Sequence, residues 1–226
     1  MTTMKTKICT VLLSLIVLSS AYAQIDKDAL SLSISKAEEA NNQKLKQYTW
    51  KRNSDVFIDS QLKLTTLTLF SFSTDGKLET KIIDAETTVK KKPGVRGAMQ
   101  KNAAEDKLDY IEKALALSLK YAFMSKGELL DFISKAKVTE KNGLIEAIGY
   151  DVVVKGDRLL ILVDPKTYLY TYKEFSSLLG ADKVDGKLNY GKFSNGTNHG
   201  STTMLNMPVQ KMAIEAKNID YSIRVN

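Results

Sequence analysis

The sequence predicts an α+β fold: a curled antiparallel sheet, an unclosed half-barrel, with helices packed on one face. Three observations point there. Apolar residues recur at helical spacing up to Lys46 and then alternate strictly with polar ones. Helical spacing returns only once more, over about 104–122 and 125–136. Beyond that, strand-like runs follow one another at turn-spaced intervals, without the strand–helix alternation that a parallel sheet requires.

The first helix is expected over residues 26–45, where Leu30, Ile34, Ala37 and Leu45 share a face. Next, Tyr48, Trp50, Arg52, Ser54, Val56 and Ile58 alternate with polar neighbours. Leu62 to Phe72 repeats the pattern, and the turn pair Asp75-Gly76 leads to a third strand over Lys77 to Ile83. From Asp84 to Asn102 the pattern stops. Lys90, Lys91, Lys92, Pro93, Gly94, Arg96 and Gly97 read as an exposed basic loop. Leu108, Ile111, Leu115 and Leu119 give a second helix, and Ser125 with Glu128 has capping-box spacing for a third. Strands follow at Ile145 to Lys155, Arg158 to Val163, around Tyr168, Tyr170 and Tyr172 on one shared face, Lys187 to Phe193, Met212 to Ala216, and Tyr221 to Val225. Asn195 to Gly200 reads as a polar turn and Asn218 as a strand break. Leu159 to Val163 is apolar on both faces, so its sheet must be covered twice or enclose an apolar space.

The first 23 residues read as a signal peptide. Lys5 and Lys7 form a positive start, Ile8 to Leu18 is a short apolar run, and Ala21-Tyr22-Ala23 is a small-x-small cleavage site before Gln24. Residues 24–226 are then expected to form one domain, exported to the periplasm or secreted. Cys9, the chain's single cysteine, leaves with the leader, so the mature chain has no thiol and no disulfide, a profile that suits a bacterial periplasmic protein. The mature charge is modestly positive, with 31 basic residues against 26 acidic. In that compartment nucleic acid is not an expected partner, and anionic lipid headgroups are the plausible acidic surface. Lys90, Lys91, Lys92 and Arg96 are the candidate contacts with it. A monomer is expected.

Catalytic patterns are few. The mature chain has one histidine, His199, in a polar stretch, and no G-x-S-x-G elbow presents a serine to it. Ser33 and Lys36 fit S-x-x-K spacing, but its partner boxes are absent. Asp182 to Gly186 lacks the alternating acids and distal glutamate of a calcium loop. Neither a metal site nor a cofactor is expected, and the chain is read as a non-enzyme. What remains is apolar and aromatic: Trp50, Val56, Ile58, Phe70 and Phe72 on the first two strands, with Tyr170 and Tyr172 from the second half. These side chains either fill a core or line a pocket for an apolar ligand.

Several segments resemble the periplasmic outer-membrane lipoprotein-carrier family. They are the leader, the helix entering a strand at Gln47-Tyr48-Thr49-Trp50, and the Asp75-Gly76 hairpin. The strand and turn at Leu160-Ile161-Leu162-Val163-Asp164-Pro165-Lys166-Thr167 and the closing strand before Asn218-Ile219-Asp220-Tyr221 complete the similarity. It covers most of the mature chain as an order of elements. At Lys92-Pro93 this chain leads towards a helix where the carriers continue into strands, and the carriers' lid-contacting arginine is assigned to no residue here. The resemblance implies an unclosed antiparallel barrel, capped by helices, that carries acyl chains. Three functions follow as expectations: a binding or carrier protein for a lipid, a lipoprotein acyl chain or another apolar ligand; an envelope interaction or sensor module of the same fold; and a hydrolase.

Overall fold

A computed structural model describes residues 25–87 and 95–224. The predicted leader and Lys90, Lys91 and Lys92 lie outside the described residues. Helix α1 (Lys27–Leu45) starts where the Asp26 carboxylate accepts from the Asp28 and Ala29 amides, both at 3.0 Å. Strands β1 (Tyr48–Ile58), β2 (Gln61–Phe72) and β3 (Leu78–Thr87) form the first meander. Helices α2 (Val95–Ala122) and α3 (Lys126–Lys135) follow. Seven strands complete the chain: β4 (Lys137–Lys141), β5 (Leu144–Tyr150), β6 (Arg158–Val163), β7 (Tyr170–Leu179), β8 (Asp182–Lys192), β9 (Asn198–Met207) and β10 (Met212–Ile223).

All ten strands form one antiparallel sheet in the order β3-β2-β1-β10-β9-β8-β7-β6-β5-β4. The last strand returns to pair with the first, and β3 and β4 end up on opposite edges. The chain between them must therefore cross the whole sheet. Helix α2 makes that crossing over β7, β8 and β9, while α3 packs on α1 and β5. The result is an unclosed half-barrel with its helices on one face.

The core lies between that helical layer and the inner face. Ile111, Ala114, Leu117 and Tyr121 of α2 and Phe132 and Ile133 of α3 meet Leu159, Ile161, Val163 and Phe175 of the sheet. The α2 stripe is rotated from the predicted one: Ile111 is buried, whereas Leu108 is 46% exposed. Ala114 and Tyr121 take the inner face because small and aromatic residues fit the close approach to the sheet. A second, smaller cluster joins Leu45 to Trp50, Phe70 and Phe72.

Several expectations about elements change. The strand expected over Ile145 to Lys155 ends at Tyr150, and β9 begins at Asn198, inside the expected turn. The basic stretch is not a loop up to Asn102: β3 continues to Thr87, paired with Leu64, and α2 begins at Val95 with Arg96 inside it. Good helix formers at Ala98, Met99, Gln100, Ala103 and Ala104 outweigh Gly97. Among the described residues, no second layer covers the outer face of β6. Leu160 and Leu162 are half-buried there, opposite the long side chains of Glu174 and Tyr172. The predicted capping box at Ser125 and Glu128 is formed.

β-bulges set which side chains face inward. Opposite Trp50, β10 carries an extra residue between Ile219 and Ser222, with Asp220 at φ 52°. The strand therefore does not end at Asn218, which pairs regularly with Arg52, and past the bulge Tyr221 turns inward to stack on Trp50. On β7, the pairing skips Thr171. Tyr170 is buried on the inner face, Lys173, Phe175 and Ser177 follow it, and Tyr172 is sent to the outer face. A third irregularity sits at Ser201 of β9, which the pairing with Asn189 and Tyr190 skips.

Candidate binding cavity

The three bulges surround a cavity of about 510 Å³ between the inner face and the helical layer. Its apolar wall is Leu45 of α1, Trp50 of β1, Phe72 of β2 and Leu78 of β3. Trp50 stacks on Phe70 at 5.4 Å and on Tyr221 at 5.7 Å between ring centroids. These contacts leave its indole N–H buried without a hydrogen-bond partner. Phe123 and Met124, in the α2–α3 connection, continue the apolar surface, and Phe123 is itself exposed.

The facing wall is polar, and most of its groups are hydrogen-bonded to one another. Asn41 of α1 forms a reciprocal pair with the backbone of Asn198: its Nδ2 donates to the Asn198 carbonyl at 2.9 Å, and its Oδ1 accepts from the Asn198 amide at 2.6 Å. The Asn198 side chain donates in turn to the Tyr170 carbonyl at 2.9 Å. One helix is thereby fastened to the starts of β9 and β7. His199 stacks on Phe193 (4.2 Å) and meets the Tyr221 ring at a tilt (4.5 Å), and its Nδ1 bonds to the Gly200 carbonyl at 3.1 Å. That carbonyl also accepts from Tyr221 Oη and from Asn218 Nδ2.

Apart from Glu39, Lys46 and Lys126, which also line the cavity, three charged side chains stand in or behind this wall. Lys173 is fully buried on the inner face of β7, where Nζ donates to the Tyr121 and Ala122 carbonyls at 3.0 and 3.2 Å and lies 3.7 Å from the Tyr170 ring centroid. It caps the negative end of the α2 dipole. Burial lowers its pKa to about 8, against the opposing pull of Glu38. Glu38 of α1 lines the cavity and accepts from the Tyr170 amide at 3.3 Å. Burial raises its pKa to about 7, although Lys173 and that amide act the other way. Arg52 of β1 also lines the cavity. Its Nε donates to Asn218 Oδ1 at 2.8 Å, its guanidinium lies 4.6 Å over Phe70, and burial lowers its pKa to about 10.

The predicted apolar residues separate into distinct environments. Trp50, Phe72 and Tyr170 line the cavity. Val56 and Ile58 pack in the main core, because Arg52 and Ser54 divide the inner face of β1 into two apolar regions. Phe70 lies behind Trp50. Tyr172 points away, bonded to Glu174 on the outer face at 2.9 Å. Sequence reasoning missed Lys173, Glu38, Asn41 and Asn198. Only Asn198 had a local signal, and that was read as a turn.

No family model matches this chain, and no curated protein does. Solved structures similar to it include the following. A DUF1329 family protein from Desulfovibrio piger has 11% identity and a TM-score of 0.40, covering 88% of this chain and 92% of its own. A putative outer membrane lipoprotein-sorting protein domain from Vibrio parahaemolyticus has 14% identity and a TM-score of 0.40, over 86% and 92%. A LolA superfamily protein from Nitrosomonas europaea has 10% identity and a TM-score of 0.37, over 87% and 94%. Among the described residues, no helix is long and apolar enough to cross a membrane.

Proposed function

We propose that the protein is a non-catalytic periplasmic binding or carrier protein for a ligand with an apolar chain, such as a lipid or the acyl part of a lipoprotein. The observation that carries this reading is the cavity. Its volume, about 510 Å³, falls in the range of small-molecule sites, and one wall is apolar where a solid core would have closed it. Trp50, Phe72 and Tyr170 are the proposed contacts from the sheet. A signal peptide ending at Ala23 would deliver the chain to that compartment; an exported protein whose intact mass still includes Met1 would refute this part. Lys90, Lys91, Lys92 and Arg96 are proposed to touch anionic membrane, for which salt-insensitive liposome binding would count against them.

Trp50 is the chain's one tryptophan, so its fluorescence reports directly on the cavity. Adding lysophospholipid should change it saturably. Leu78→Glu places a charge on the apolar wall at a half-buried position and should weaken the response at least tenfold. No change at saturating lipid, together with a bare native mass for protein purified from its host, would reject the carrier. A second reading, an envelope interaction module, is supported by the unpaired β3 edge, where Ile82 is 61% exposed.

A further inference from the structure

Arg52 is 8% exposed, yet none of the ion pairs among the described residues reaches it. A buried cation is ordinarily matched by an anion, because desolvation without a counter-charge is costly. Two acids line the cavity, Glu38 and Glu39, and neither forms an ion pair with Arg52. Glu38 has Lys173 as its counter-charge, and the neighbour that acts electrostatically on Arg52 is the phenol of Tyr221. The guanidinium is nevertheless held in a fixed direction by Asn218 and by the Phe70 ring. Asn218 is itself anchored to the Gly200 carbonyl at 2.8 Å. Among the described residues, the terminal amino groups of Arg52 have no hydrogen-bond partner. Two cavity residues carry buried donors that are unsatisfied: Trp50 Nε1 and the Tyr190 hydroxyl. Trp50 lies two residues from Arg52 on the same face of β1, about 7 Å along the strand.

We propose that the cavity takes an anionic single-chain amphiphile, with its carboxylate on Arg52 and its chain along Leu45, Trp50, Phe72 and Leu78. This rests on the carrier reading and adds the chemistry of the ligand's polar end. Burial sharpens the selectivity, since an Arg–carboxylate contact is far stronger away from bulk water. A neutral ligand would leave the charge unmatched.

Calorimetry on the full mature chain tests this with dodecanoate, its methyl ester and acetate. Dodecanoate should bind about tenfold or more tighter than the ester, and acetate should not bind measurably. Arg52→Gln should remove the preference for the acid over the ester, and Arg52→Lys should restore part of it. The wild-type comparison stands by itself if Arg52→Gln fails to fold. Equal affinity for acid and ester overturns the proposal but leaves the apolar-ligand reading intact. Acetate binding as tightly as dodecanoate also overturns it. Binding of neither chain overturns both.

Discussion

Asp157 shows how one buried carboxylate can organise a turn and a helix together. It is fully buried, and its oxygens accept from the Val152, Val153 and Val154 amides at 2.7–2.9 Å and from the Tyr121 hydroxyl at 2.5 Å. The turn between β5 and β6 thus obtains its partners from a side chain, and α2 is tied to the same point. The Tyr121 oxygen also accepts from the Ser177 hydroxyl at 2.9 Å, and its own hydroxyl is pushed well above the ordinary tyrosine range, first by burial and then by Asp157. Asp157→Ala would strand three backbone donors and a phenol. We expect a loss of about 3 kcal/mol or more, measured by urea unfolding. A variant as stable as wild type would mean that water replaces the carboxylate. In the sequence, Gly156-Asp157 is legible as a turn, but the four bonds are not, because Tyr121 is distant in the chain.

At the scale of elements, α2 meets the sheet through an aromatic stack that depends on a missing side chain. Tyr121 stacks on Phe175 at 4.0 Å, nearly parallel, and Phe175 lies across from Gly186 on β8. A Cβ on Gly186 would stand 2.2 Å from the Phe175 ring. The glycine is therefore a requirement of close approach and not of backbone conformation. Gly186→Ala should displace Phe175, loosen the seat of α2, and destabilise the fold by about 1–3 kcal/mol. Exchange protection of the α2 amides would be expected to fall with it; unchanged protection and stability would refute the account. The same relation holds at Gly149, where a Cβ would stand 2.9 Å from the Phe132 ring of α3.

For the whole molecule, the crossing of α2 between opposite sheet edges closes the charged side of the cavity, and stability should carry a pH signature from it. Glu38 in the folded protein titrates near 7, above its ordinary 4.5. Its contribution is fully present below the unfolded value and is lost as pH rises through about 7. Lys173 is the converse case: depressed to about 8 from 10.5, it contributes above the unfolded value and loses that as pH falls through about 8. Thermal melts of wild type should therefore decline between about pH 4.5 and pH 7. Glu38→Gln should flatten that decline. Parallel curves for the two proteins would show that Glu38 ionises without cost at its place in the cavity.

The sequence by itself determined the kinds of element, the antiparallel class and the half-barrel with helices on one face, since periodicity, capping and turn chemistry are local. Leu159, Ile161 and Val163 announce a buried strand face, and Ser125 with Glu128 a helix start, without reference to anything distant. Only the tertiary structure decided which side chains meet at the cavity. Alternation fixes a face only while the ladder is regular, and one extra residue reverses it. The bulge at Thr171 takes Tyr172 outward and Lys173 inward, and the one near Asp220 brings in Tyr221. Alternation puts Arg52 on the inner face with Trp50 and Val56; what holds its charge there, Asn218 of β10, lies 166 positions away in the chain.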